Sequence, residues 1–269
     1  MSPTNATAQS TIPFSTLPLE LREIIYRHAI LPENIMSLSQ SPNLSAADTR
    51  RGGDPFYLQW LEQLCRVNEA TRIDVPLYLL RTTTFHLLYP EQAGSFSTFL
   101  QSLGANNQGF SAIRRLDFQL FGRYQPSAGN DNTYIELMKR CTRLTHIQLK
   151  FEVGHMTTNS CNWAEDLIWP PTTLWIFDQT RVRELDDVIA IYRLAELLKL
   201  ESLNKLTVEA WPRIRVSDRH AMQDVLVDCT PLIERLVQWL REGFVARGRD
   251  VDVRYVEASS PGLRWRRRI

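Results

Sequence analysis

The side chains best suited to chemistry in this chain are five histidines and four cysteines, and their spacing limits what they can do. His28, His86, His146, His155 and His220 are scattered, as are Cys65, Cys141, Cys161 and Cys229. No two cysteines form a C-x-x-C pair, so neither a zinc ligand set nor a dithiol redox motif is present at the usual spacing. Cys161 lies near His155, which suggests a thiol–imidazole pair, yet no third group orients the imidazole. The remaining histidines read as satisfied or solvated side chains. G-x-x-x-x-G-K-S/T, a G-x-G-x-x-G following a strand, G-x-S-x-G and H-E-x-x-H are all absent from the sequence. The expectation is therefore a non-enzyme with no catalytic residue, no metal ligand and no cofactor. Asp186-Asp187 reads as a helix start, where carboxylates oppose the positive end of the dipole.

Composition narrows the partners. The chain has 269 residues, enough for one large domain or a small module joined to a repeat array. Its formal net charge is +1, so no global field points to nucleic acid or to an anionic membrane. The first thirteen residues are polar and lack a basic region followed by an apolar run, and no segment approaches the ~20 apolar residues of a membrane span. Cytoplasm or nucleus is the expected location, with buried, reduced thiols.

The elements that must position any site can be read from periodicity. Residues 1–13 read as a disordered tail. In FSTLPLELREIIYRHAI, Leu17, Leu21, Ile24, Ile25 and Ala29 fall at helical spacing, with Ser15 and Thr16 offering N-caps and Pro18 in the first turn. Ile24 and Ile25 are expected to face inward, with Leu17 and Pro18 at an exposed apolar edge. Residues 31–54 read as a polar loop. A second helix follows from about 56 to 80, broken or kinked at Pro76.

A repeat then appears. Ile113-x-x-Leu116-x-Phe118, Leu144-x-x-Ile147-x-Leu149 and Leu203-x-x-Leu206-x-Val208 share one form, and Phe85-His-Leu87 precedes them. The first two steps are each 31 residues, and the third is near twice that, with Leu174-Trp-Ile176 between. Helical segments fill the intervals: SFSTFLQSLG ending at Gly104, TYIELMKRCTRL, a helix over 186–202, and LIERLVQWLREGFVARG opened by Thr230-Pro231 and closed by Gly248. A short strand, a helix and a period near 30 predict stacked α/β units around a mostly parallel sheet. The strands are expected at 84–88, 115–119, 146–151 and 205–210, with helices 186–202 and 230–246 on one face. A single α/β domain with coincidental spacing is the alternative.

Two further segments stand out. Trp163, Trp169 and Trp175 crowd with Pro170-Pro171 into the span 162–180. They either anchor a partner, as tryptophan often does at interfaces, or plug the core beside an imperfect unit. The basic tail, 259–269, carries Leu263-Arg-Trp-Arg-Arg-Arg268; it is either a nuclear signal or phosphate contact, or a solvated basic end.

Leu17-Pro18-x-Glu20-Leu21-x-x-Ile24 resembles the F-box motif, and Leu64-Cys65-Arg66-Val67-Asn68 is similar to the later F-box helix. Together with Pro76-Leu77-Tyr78 and Thr84-Phe85-His86, these segments resemble fungal F-box-like proteins. The polar loop 31–54 departs from that pattern by separating the first helix from the rest. The resemblance implies an N-terminal helical F-box-like module over 14–80, then a degenerate leucine-rich-repeat-like α/β array over 81–258. It also implies that Leu17, Pro18 and Leu21 dock on an Skp-type adaptor while the array selects an unknown target protein for an SCF-type cullin–RING ubiquitin ligase. The alternatives are a general protein-binding module that never meets such an adaptor, and an enzyme with an unrecognised site near 150–185. No membrane, nucleic-acid or small-molecule partner is implied.

Overall fold

The computed structural model describes residues 14–30, 69–87, 90–123, 132–152, 154, 156–158, 181–218 and 223–258. Its strands are β1 (Thr84–Leu87), β2 (Arg115–Phe118), β3 (His146–Glu152), β4 (Thr157–Thr158), β5 (Arg181–Val182), β6 (Lys205–Trp211), β7 (Arg213–Asp218), β8 (Gln223–Asp228) and β9 (Asp252–Glu257). Its α-helices are α1 (Leu19–Ile30), α2 (Glu69–Thr82), α3 (Pro90–Ser102), α4 (Gln108–Ala112), α5 (Thr133–Arg140), α6 (Leu185–Tyr192) and α7 (Thr230–Val245). The class is α/β. Five strands form one sheet in the order β1-β2-β3-β6-β9, every pair parallel. Each new strand of this sheet joins beside the one before it, with helices in the intervals.

The register follows the sequence repeat. Phe85 pairs with Leu116, Leu116 with Ile147, Ile147 with Leu206 and Leu206 with Val253. Alternate residues share a face in a strand, so this row and the row of Leu87, Phe118, Leu149 and Val208 point the same way, into the core. Leu144 and Leu203, the leading positions of two units, are buried there as well. Full burial of each such aliphatic side chain is worth about 1.5–3 kcal/mol.

Helix ends show why the chain turns where it does. Asn132 caps α5: its Oδ1 accepts from the backbone N–H groups of Tyr134 at 3.1 Å and Ile135 at 3.3 Å. Its Nδ2 donates to the Tyr192 carbonyl at 3.2 Å, tying the start of α5 to the end of α6. Gly104 and Gly248 have φ of 71° and 68°, the left-handed conformation that glycine adopts freely after a helix. The helix expected over 186–202 is instead divided. It ends at Arg193, whose φ is 55°, and resumes as a 3₁₀ segment, Leu194–Lys199. Burial of both Tyr192 and Leu194 across this bend outweighs the cost of a left-handed non-glycine residue. Glu184, rather than Asp186 or Asp187, takes the cap position, and the two aspartates lie in the first turn.

Other expectations also change. α2 runs unbroken through Pro76, where the packing of Val75, Tyr78 and Leu79 outweighs a penalty of about 3 kcal/mol. The first carbonyl to accept in α1 is that of Pro18, so the helix starts beyond Ser15 and Thr16. An antiparallel hairpin, β7–β8, follows β6 directly, which the repeat did not announce. The strand unit around Leu174–Ile176, the helix before residue 69, the loop 31–54 and both tails lie outside the described residues.

The close approach of α3 and α4 depends on one glycine. A Cβ on Gly109 would lie 2.2 Å from the Leu100 carbonyl oxygen, whereas one on Gly94 would meet nothing within 4 Å. Gly109→Ala is expected to cost about 1–3 kcal/mol or more, and Gly94→Ala, in an exposed helical turn, to add about 0.5–1 kcal/mol. Urea unfolding of both variants checks this; equal midpoints would refute the close approach.

Candidate functional site

Two surfaces stand out, one apolar and one polar. The apolar one is on α1. Arg22 pairs with Asp74 and Glu23 with Arg81, and the Tyr26 ring lies 5.9 Å from that of Tyr78 and 5.8 Å from that of Phe14. These contacts turn one side of α1 toward α2. At about 100° per residue, an inward Tyr26 sends Ile24 and His28 about 200° round, to the opposite side. Accordingly Leu21, Ile24 and Ile25 are 47%, 48% and 42% exposed, and His28 is exposed one turn on. The inward placement expected for Ile24 and Ile25 is corrected: tyrosine, not isoleucine, takes the inner position. Of the predicted docking residues, Leu21 and Pro18 are exposed and Leu17 is half-buried. Trp163, Trp169 and Trp175 lie outside the described residues, as do His155, Cys161 and His220.

The polar surface is the other face of the five-stranded sheet. Parallel register places its residues in rows across the strands. One row is Thr84, Arg115, His146, Lys205 and Asp252; the next is His86, Asp117, Gln148, Thr207 and Arg254. The sequence repeat could have disclosed the first row, because Arg115, His146 and Lys205 each stand immediately before the second apolar residue of their unit. That signal is polar and variable in type, so an apolar periodicity search passes over it.

Further along the strands the acids of this face have neighbours as donors, although Asp117 Oδ1 and His86 Nε2 are buried without a partner. Asp117 is buried, and its Oδ2 accepts from Gln119 Nε2 at 2.6 Å and lies 2.8 Å from His86 Nδ1. Glu209 accepts from Lys150 at 2.8 Å and from Gln148 at 2.5 Å, and the Lys150 ammonium lies 4.6 Å from the Trp211 ring centroid. These acids are answered by neighbours, an arrangement that holds a surface rigid.

The first row is different. His146 Nδ1 is 2.9 Å from Thr145 Oγ1, and that hydroxyl already donates to the Arg114 carbonyl at 3.0 Å. The hydroxyl has one proton, so Nδ1–H must be the donor to Oγ1, which leaves Nε2 to accept or take a proton. Burial, then Arg115 and Lys205 on the adjacent strands, hold the His146 imidazole below the usual histidine range. Arg114 donates through Nη1 to the carbonyls of Ser111, Ala112 and Ile113. Burial, Arg143 and Arg81 shift it downward too.

Elsewhere the titratable groups look structural. Cys141 and Cys229 are buried free thiols, pushed up to about 12 and about 11, Cys141 by burial and Cys229 by burial together with Asp228. Thiols so far from ionisation at neutral pH are inert. Among the described residues, no group of three or more His, Cys, Asp or Glu side chains could hold a metal ion. Among those residues also, no helix is long and apolar enough to cross a membrane. No family model matches this chain, and neither a curated protein nor a solved structure matches it significantly.

The His146 shift has a definite consequence. The unfolded chain binds the His146 proton near pH ~6.5, while the native state binds it only at lower pH. This contribution to stability is full above about pH 6.5 and declines as pH falls below it, because the unfolded state then holds the extra proton. His146→Gln is expected to flatten the stability curve between about pH 6.5 and 5, measured by denaturant unfolding at several pH values. An unchanged slope would refute the assignment.

Proposed function

We propose that the chain is a non-enzymatic protein-interaction adaptor that docks through α1 on an Skp-type partner and presents a target protein to an SCF-type ubiquitin ligase. The observation that carries this reading is the orientation of α1. The helix is fixed to α2 by two ion pairs and an aromatic contact, yet its apolar stripe of Leu21, Ile24 and Ile25 faces solvent. A helix held firmly with three aliphatic side chains outward is built to be covered. The LPxEL resemblance supplies the class of partner, and the docking set becomes Pro18, Leu21, Ile24 and Ile25, with Leu17 at its half-buried edge. The parallel sheet supplies a broad, rigid polar face on which a target could rest, without any catalytic step by this chain. A general protein-binding module is the alternative, and it differs only in the partner that covers α1.

Leu21→Ala, Ile24→Ala and Ile25→Ala each remove about 50 Å² of apolar surface from such an interface, about 1.2 kcal/mol. That corresponds to about eightfold in affinity for each substitution. Because all three side chains are exposed, the melting temperature should hardly move, as surface changes stay within about 0.5 kcal/mol. Titration against a purified Skp-type adaptor, paired with thermal melting, tests both halves. Absence of wild-type binding at tens of micromolar would remove the ligase reading and leave the general binding module.

A further inference from the structure

We propose that the row Arg115, His146 and Lys205 binds an acidic peptide segment of the target protein. The proposal deepens the adaptor reading, because it names the chemistry of what the sheet's polar face receives. Three positions on three adjacent strands, in direct register, all carry or can carry positive charge. Like charges placed opposite one another across strands are destabilising, so such a row costs the free protein stability. The only acid in the row, Asp252, stands on the edge strand opposite Lys205; Arg254 engages it at 2.7 Å, which leaves Arg115 and His146 without an acid opposite them on β2 and β3. Arg115 is exposed and His146 and Lys205 are half-buried, so the row is open to a ligand. Among the described residues no ion pair joins a carboxylate to Arg115 or Lys205, although Asp252 stands opposite Lys205 and feels its charge, whereas on the same face Asp117 Oδ2 and Glu209 accept from their neighbours. Positive charge is thus gathered where β2, β3 and β6 begin.

Scale selects the partner. Adjacent strands are about 4.8 Å apart, so the row spans about 10 Å. That width matches two side-chain carboxylates of an extended peptide. A nucleic-acid path needs a longer basic track to neutralise several phosphates, and the chain's net charge of +1 supplies no such field. His146 adds a dependence on pH. Its Nδ1–H is held by Thr145, Arg115 on β2 and Lys205 on β6 repel a second proton, and Gln148 on its own strand is neutral. A carboxylate arriving at the row offsets that repulsion and lets Nε2 take a proton, so binding and protonation assist each other.

The test uses the full chain and fluorescence anisotropy with three labelled probes: a peptide of alternating Glu and Ser, its Gln and Ser counterpart, and a single-stranded oligonucleotide of similar length. The Glu peptide should bind, and its affinity should rise about threefold from pH ~7.5 to ~5.5, a range in which glutamate stays mostly ionised. Arg115→Gln with Lys205→Gln should weaken it about tenfold or more, while Lys139→Gln, an exposed lysine paired with Glu136 on α5, should change nothing. His146→Gln should abolish the rise in affinity as pH falls. Equal binding of the Gln peptide, preference for the oligonucleotide, an unaffected double variant, or no binding at about 1 mM would overturn the proposal. Leu21→Asp with Ile25→Asp, which removes adaptor docking, should leave the peptide titration intact, so failure of one surface is distinguishable from failure of the other.

Discussion

In-register parallel pairing is the constraint on which the rest of this molecule depends. Successive residues of a strand point to opposite faces, so pairing Phe85, Leu116, Ile147, Leu206 and Val253 in one row settles every neighbouring position at once. A slip of one residue between any two strands would bring Arg115, Asp117 or Lys205 to the core face. The helices α3, α5 and α7 cover the apolar rows with buried residues such as Phe96, Leu137 and Leu236. The strands and helices bury their apolar faces against each other, and that mutual dependence selects the register.

Where the units meet, aromatic rings and one buried amide take over. Phe118, Phe121, Tyr134, Phe151 and Tyr192 form a connected set, with centroid separations from 4.9 to 6.0 Å. The Tyr192 hydroxyl donates to the Gly122 carbonyl at 2.9 Å, and Asn132 holds the Tyr192 carbonyl from the other side. Burial raises the Tyr192 phenol, which stays neutral and a donor at any physiological pH. Three different parts of the chain are therefore joined by polar groups whose loss would leave buried atoms unpaired.

The division between the sheet's two faces has a functional corollary. A parallel sheet whose apolar rows face the helices leaves a second face of polar residues. On that face Asp117 and Glu209 accept from their neighbours, while Arg115, His146 and Lys205 stand side by side in one row. The helix α1 follows the same logic at smaller scale. Its inner side is chosen by Tyr78, Asp74 and Arg81 of α2, and its outer side presents Leu21, Ile24 and Ile25 to solvent.

The sequence by itself determined the strands of the repeat, their parallel pairing and the near-30-residue steps, because L-x-x-L-x-L encodes which face of each strand must leave water. It also pointed to the α1 stripe, since the apolar spacing at Leu21, Ile24 and Ile25 is local. Only the tertiary structure decided which side of that helix faces in: the choice between Tyr26 and the isoleucines is made by α2, over forty residues away in sequence. The bend at Arg193 and the passage of α2 through Pro76 were likewise settled by packing that overrides local propensity. The cationic row was written in the sequence as single residues in separate units. It became a surface only when register set three strands side by side, because charge acts through space and not along the chain.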